Sequence, residues 1–275
     1  MSATPAWAPA VCPDGTTAMC VFAVRGNPDP TGLVGVRGHS GGSPLRLLEL
    51  PGSLWAVVQS VPAEDFTEEA LRQRLSDPAA LEACARAHHA VVTAAAADGP
   101  VVPLPLATLF TDPNRAVATL DEQRTHFLAV LDRVAGRSEW AVKVHVRQVG
   151  DDSGRCGTDP DRAAPGGGLA YLNRVRARER DRHARQEAVG RAAQHVYDTS
   201  AAFAVAAVRR RPHGADITGR DRTQVLNAAF LVESTRAADL VTAIRAMDDT
   251  FEGLDVETEV SGPWVPYSFT GEDDS

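Results

Sequence analysis

Nine residues, Glu139-Trp-Ala-Val-Lys-Val-His-Val-Arg147, constrain this chain more than any other stretch. Trp140, Val142, Val144 and Val146 alternate with Glu139, Ala141, Lys143, His145 and Arg147. Successive side chains of a strand leave opposite faces of the pleat, so strict alternation predicts a half-buried strand with one apolar and one charged face. The segments before it read as one folding unit. Those after it repeat a different pattern, so the strand is expected to open a second domain.

The expected N-terminal domain covers residues 1–138 and is of α+β type. Residues 1–17 are rich in Ala and Pro and read as a loose tail. Ala18 to Val24 is a continuous apolar run of strand length, as expected of a strand buried on both faces. Leu45–Leu50 and Leu54–Val61 flank Pro51-Gly52-Ser53, which predicts a hairpin. Thr67 is placed to cap one helix, and Asp77-Pro78 supplies the N-cap and first residue of the next. That second helix carries Leu81, Cys84, Ala85, His88, Val91, Val92 and Ala95 on one stripe. Two prolines keep Val101 to Leu106 extended. Asn114 is expected to cap a single helix with the stripe Val117, Leu120, Arg124, Phe127, Leu131 and Val134, ended by Gly136.

Residues 139–275 form the expected second domain. The stretch 150–168, rich in Asp, Gly and Pro, reads as a flexible excursion. A long helix follows to about Phe203, then strands near 204–210 and 223–233, a helix over 235–249 and a last strand over 254–261. The order β-α-β-β-α-β is that of a ferredoxin-like fold. In such a sheet the first and last strands are neighbours. Lys143, His145 and Arg147 would then lie beside Asp255, Glu257 and Glu259, and a one-residue slip would bury the charges. This makes Lys143, the only lysine, a sheet-pairing residue.

Composition narrows the function classes. A net charge of −8 argues against general binding of nucleic acid, which needs a positive surface. No apolar run approaches the roughly 20 residues of a membrane helix. The start, Met1 to Pro13, lacks the basic and apolar regions of a signal peptide. Cys12, Cys20, Cys84 and Cys156 form no metal-binding spacing. They read as buried or loop thiols in a reducing cytoplasm. No P-loop, dinucleotide fingerprint or nucleophile elbow is present. No motif points to a cofactor or metal, but missing motifs do not exclude an enzyme, because site residues converge from distant positions.

Several features admit two readings. His88 on an apolar stripe is either a core histidine or a functional one, and its neighbour His89 leaves the helix too far round to share a metal. The six arginines between Arg174 and Glu187 form either a solvated helix face with pairs such as Asp181–Arg185 or a nucleic-acid contact; the acidic net charge favours the face. The glycines in Ser40-Gly-Gly-Ser43 read as flexible linker. Gly262-Pro-Trp-Val-Pro-Tyr-Ser-Phe269 concentrates aromatics between bracing prolines. It is either a cover for a sheet edge or domain seam, or a docking surface, and is expected to be ordered with Trp264, Tyr267 and Phe269 partly buried.

Taken together, five segments resemble the gas vesicle GvpF/GvpL family. They are the His88 helix with the following Val-Val-Pro and Thr108-Leu-Phe110; Glu139-Trp-Ala-Val-Lys143-Val; Gly168-Leu-Ala-Tyr171-Leu with its arginine-rich helix; Leu226-Asn227-Ala-Ala-Phe-Leu-Val232; and the terminal aromatic segment. One loop departs. Where the family usually reads Pro-x-Arg-Phe-Gly-Thr, this chain has Pro103-Leu-Pro105-Leu106-Ala107-Thr108.

The resemblance implies a protein that is not an enzyme and holds no cofactor or metal, an accessory or minor structural component of gas vesicles in the cytoplasm. It would act in vesicle nucleation and growth by binding the hydrophobic shell protein of GvpA type and other accessory proteins. It implies no nucleic acid and no membrane. Trp264, Pro266, Tyr267, Phe269, Thr108 and Phe110 are the expected partner-binding residues. The competing class is a ferredoxin-like regulatory module that binds a small molecule, which rests on fold analogy alone.

Overall fold

The computed structural model describes residues 17–147, 167–212, 222–251 and 253–271. The expected N-terminal tail, Cys12, Cys156 and nearly all of the 150–168 excursion lie outside these residues. The chain packs as two compact units, Met1–Ser138 with Val265–Ser275, and Glu139–Trp264.

In the first unit β1 (Thr17–Arg25), β2 (Arg46–Leu50), β3 (Leu54–Pro62), β4 (Val101–Pro103) and β5 (Leu109–Phe110) form one antiparallel sheet. Its order is β2-β3-β1-β4, with β5 also on β1. Central β1 is buried from Ala18 to Arg25, which is why its sequence is apolar without alternation. Cys20 and Phe22 pack with Val91, Val92 and Ala95 of α2 (Pro78–Ala96) on one face. Met19, Val21 and Val24 pack on the other with α3 (Pro113–Glu122) and α4 (Arg124–Val134). Asp77 caps α2 by accepting from the Ala79 amide, and Thr67 caps α1 (Glu68–Ser76) through Ala70. The α2 stripe is narrower than the sequence predicts, because Ala85 faces solvent.

A bulge between Val21 and Ala23 shifts the pairing of β1 with β3. The backbone groups of Val21 and Phe22 are met by the divergent loop: Leu104 N donates to Phe22 O, and Val21 N donates to Thr108 O, each at 2.9 Å. That loop therefore belongs to the sheet. Ala107 stands in it at φ 64°, at the position where the family usually has glycine. The predicted single helix over Asn114–Val134 is two. Asp112, not Asn114, caps α3, with Pro113 first in the helix, and Gln123 at ψ 8° leaves helical geometry between α3 and α4. The apolar stripe spans the break because both helices pack on the same core.

The second unit runs β6 (Arg137–Arg147), α5 (Gly167–Ala201), β7 (Ala204–Arg209), β8 (Arg222–Glu233), α6 (Ala237–Arg245) and β9 (Val256–Trp264). The sheet order is β7-β8-β6-β9. Val142 and Val144 of β6 meet Ala192, Ala193 and Val196 of α5, and Leu240 and Ile244 of α6, in one core. Burying each of these Val, Leu and Ile side chains contributes roughly 1.5–3 kcal/mol. The opposite faces of β6 and β9 pair as charge alternation predicts. Lys143 stands opposite Glu259, with Nζ 3.0 Å from Oε1, and His145 Nε2 is 3.6 Å from the other oxygen. Arg222 reaches Glu257 at 3.0 Å.

Two expectations change here. Arg185 pairs with Asp255 at 2.5 Å, across the fold, rather than with Asp181 along the helix. The terminal aromatic segment, read from sequence as part of the second domain, joins the first unit from Val265 onward. Its cause is hydrophobic: Val265 is buried in the core that α2 shares with β1.

Candidate functional site

The terminal segment begins inside β9. Gly262 and Pro263 oppose the single residue Trp140 of β6, a local irregularity in the ladder. Gly262 is required there. At φ 154° any Cβ would lie 2.8–2.9 Å from the Trp140 ring and 3.0 Å from Glu139 O. Trp264 closes the strand and stays 45% exposed.

Residues 265–271 act as a strap on the first unit. Val265, Pro266 and Phe269 are buried. Tyr267 is 37% exposed, with its hydroxyl 3.4 Å from Nδ1 of His89 on α2; burial pushes its phenol up to about 12. Three residues on, His126 of α4 donates Nε2–H to Thr270 O at 2.9 Å. Since α2 and α4 lie on opposite faces of the sheet, the strap ties both layers together. Thr108 and Phe110 occupy the sheet rather than the strap. The Thr108 hydroxyl donates to Pro105 O, and Phe110 pairs with Met19 and packs on the α3–α4 core. Of the six expected partner-binding residues, Pro266, Tyr267 and Phe269 share the strap, and Trp264 belongs to the second unit.

A cleft of about 1020 Å³ opens in the first unit between the glycine-rich loop 35–43 and the start of α2. Sequence reasoning took this loop for a linker. It is instead wrapped around a buried side chain: Gln59 Oε1 accepts from His39 N at 2.8 Å, and Gln59 Nε2 donates to His39 O and Ser43 O. A Cβ on Gly38 or Gly42 would come within 2.4 Å of the Gln59 amide group, so these glycines are contact requirements. The loop lays the His39 ring on Phe22, centroids 5.2 Å apart, and 5.7 Å from Phe66. Cys84 lines the cleft beside it. The only available signal was four glycines bracketing one histidine.

His88 is the core histidine of the two readings. It is buried against Phe22 at 5.4 Å, and burial, helped by His39 and opposed by the Leu104 backbone, lowers it to about 4. Arg25 is also buried. Its three guanidinium nitrogens lack hydrogen-bond partners; burial lowers its pKa while the charges of Asp98 and Asp29 oppose. Among the described residues no group of three His, Cys, Asp or Glu side chains is placed to hold a metal, and no helix is long and apolar enough to cross a membrane.

Two antiparallel sheets with attached helices define an α+β architecture shared with solved gas vesicle proteins. The crystal structure of GvpF from Anabaena sp. PCC7120 superimposes with a TM-score of 0.65 at 13% identity, covering 94% of this chain and all (100%) of that one. GvpF from Microcystis aeruginosa gives 0.60 at 14% identity, covering 93% and 99%. At these identities the likeness is one of fold. The sequence adds the family: the profile described as "Gas vesicle synthesis protein GvpL/GvpF" matches residues 18–271. Gas vesicle protein L of Streptomyces sp. (strain CB03234) is 34% identical over 242 residues, 88% of this chain and 87% of the relative. Gas vesicle protein F of the same strain is 29% identical over 238 residues, 82% and 87% of the two chains. The chain belongs to the gas vesicle GvpL/GvpF family.

Proposed function

We propose that this protein acts in gas vesicle nucleation and growth by binding the hydrophobic shell protein, together with other accessory proteins, in the cytoplasm. The observation that carries this reading is the family match from residue 18 to 271, which spans both units. The physical need supports it. A shell that excludes liquid water has a strongly apolar inner face, and an unassembled subunit with that face exposed aggregates. A soluble partner that covers the face keeps the subunit competent for assembly, and this role requires no catalysis.

Trp264 and Tyr267 are the proposed contact residues, because they combine aromatic surface with exposure. Pro266 and Phe269 hold the strap, while Thr108 and Phe110 belong to the sheet. We also read the second unit as a ferredoxin-like domain beginning at Glu139. The β7-β8-β6-β9 order, with both helices contributing to one core, supports that reading. Shell protein captured on the immobilised full chain tests the contact. Trp264→Ala with Tyr267→Ala should lower capture about tenfold or more, in keeping with aromatic anchors worth about 2 kcal/mol. Undiminished capture by the folded double variant removes these residues from the interface.

One feature favours small-molecule binding as a second reading. A cleft of about 510 Å³ in the second unit has Arg182, Arg185 and Arg209 around an apolar floor of Val189 and Val225, which suits a small anion with apolar bulk.

A further inference from the structure

We propose that Cys84 and His39 form a reactive thiol–imidazole pair that accepts low-molecular-weight disulfides in the cleft of the first unit. The Cys84 sulfur lies 3.6 Å from His39 Nδ1, within hydrogen-bond reach for sulfur. The two groups differ in access. Both residues line the cleft, Cys84 half-buried and His39 only 6% exposed, so the pair borders the cavity with the cysteine the more open of the two.

The histidine is fixed in place. Gln59 clasps its backbone on both sides, and Phe22 and Phe66 hold its ring. A base locked at the sulfur of a cysteine, next to a cavity larger than the reagent, is the arrangement that raises the thiolate fraction of a cysteine. The other described cysteine supplies a contrast within the same unit. Cys20 is fully buried, and burial pushes its thiol up to about 12. Exposure and a neighbouring base separate the two thiols.

The chemistry closes on itself. With the imidazole in its Nε2–H tautomer, the Cys84 S–H donates to Nδ1 and passes its proton there. The thiolate attacks one sulfur of the disulfide, a new S–S bond forms at Cys84, and the old S–S bond breaks. The departing thiolate takes the proton from His39. Cys84 is oxidised, and one half of the disulfide is reduced to a thiol. The adduct then occupies the cleft beside the Gln59-clasped loop.

Reaction of the full chain with a coloured aromatic disulfide tests this, with peptide mass mapping to follow Cys12, Cys20, Cys84 and Cys156 separately. At neutral pH Cys84 should react about tenfold faster in the folded protein than in the urea-unfolded chain, and its pH–rate curve should inflect below the ~8.5 of an ordinary thiol. His39→Gln should remove most of that acceleration and return the inflection to the ordinary range. Cys84 reacting no faster folded than unfolded overturns the proposal. So does an unchanged pH–rate curve in folded His39→Gln. Should the variant fail to fold, the comparison of folded with unfolded unsubstituted chain decides.

Discussion

The two units solve the same packing problem with different treatments of charge: the second buries a charged group too, Glu139, but pairs it with Arg210. In the first, helices cover both faces of the sheet, and polar groups are taken inside with it. Arg25 is buried without hydrogen-bond partners, and His88 is buried with no charged partner. In the second, both helices share the core on one face of the sheet, and the other face of β6 and β9 carries a ladder of opposed charges headed by Lys143 and Glu259. Buried ionisable groups without partners bias stability strongly with pH, whereas paired groups open to solvent contribute little and are screened. The units should therefore answer differently to acid and to substitution.

The largest effect is expected from acid. His88 has a folded pKa of about 4 against 6.5 for an ordinary histidine, so the unfolded chain binds its proton first. The stabilising state, neutral His88, is fully present above pH 6.5 and is lost as pH falls to about 4. That interval corresponds to about 3 kcal/mol. Amide hydrogen exchange read separately on β1 and β6 should show β1 losing protection first across this window. His88→Leu should abolish most of the difference. Equal acid sensitivity in both strands would break the comparison.

A smaller effect sits at Ala107. Its φ of 64° is strained for any residue with a Cβ, so Ala107→Gly should stabilise the first unit by about 1 kcal/mol in urea unfolding. A destabilised variant would mean that the loop is held in another conformation.

The smallest effect belongs to Lys143. Its side chain is 29% exposed beside a half-exposed Glu259, so Lys143→Met should cost less than about 1 kcal/mol, and added salt should shrink that cost further. A loss of several kcal/mol would show that the ladder, not the helix-covered face, holds this sheet. Normal folding with lost vesicle assembly would return Lys143 to consideration as a functional residue.

What the sequence made legible follows from how local each signal is. The register of β6 on β9 could be read because alternation and charge fix it residue by residue, and Asp77 and Thr67 announce their helices within a few positions. The break at Gln123 was hidden because its apolar stripe continues across it. The strap's attachment to the first unit was hidden too. Val265 meets residues more than a hundred positions earlier, and nothing in its neighbourhood says so. The cleft escaped for a similar reason. Gln59 sits within a strand, and nothing near it in sequence says that loop 35–43 closes over it. Local periodicity gives elements and faces; which distant loop covers a face is decided by packing.

The central claim is that this protein takes part in building gas vesicles. Electron microscopy of vesicle-forming cells that lack this one chain tests it directly, with the chain restored as a control. The account predicts absent or arrested vesicles that return to normal on restoration. Vesicles of normal number, width and length in its absence would contradict it.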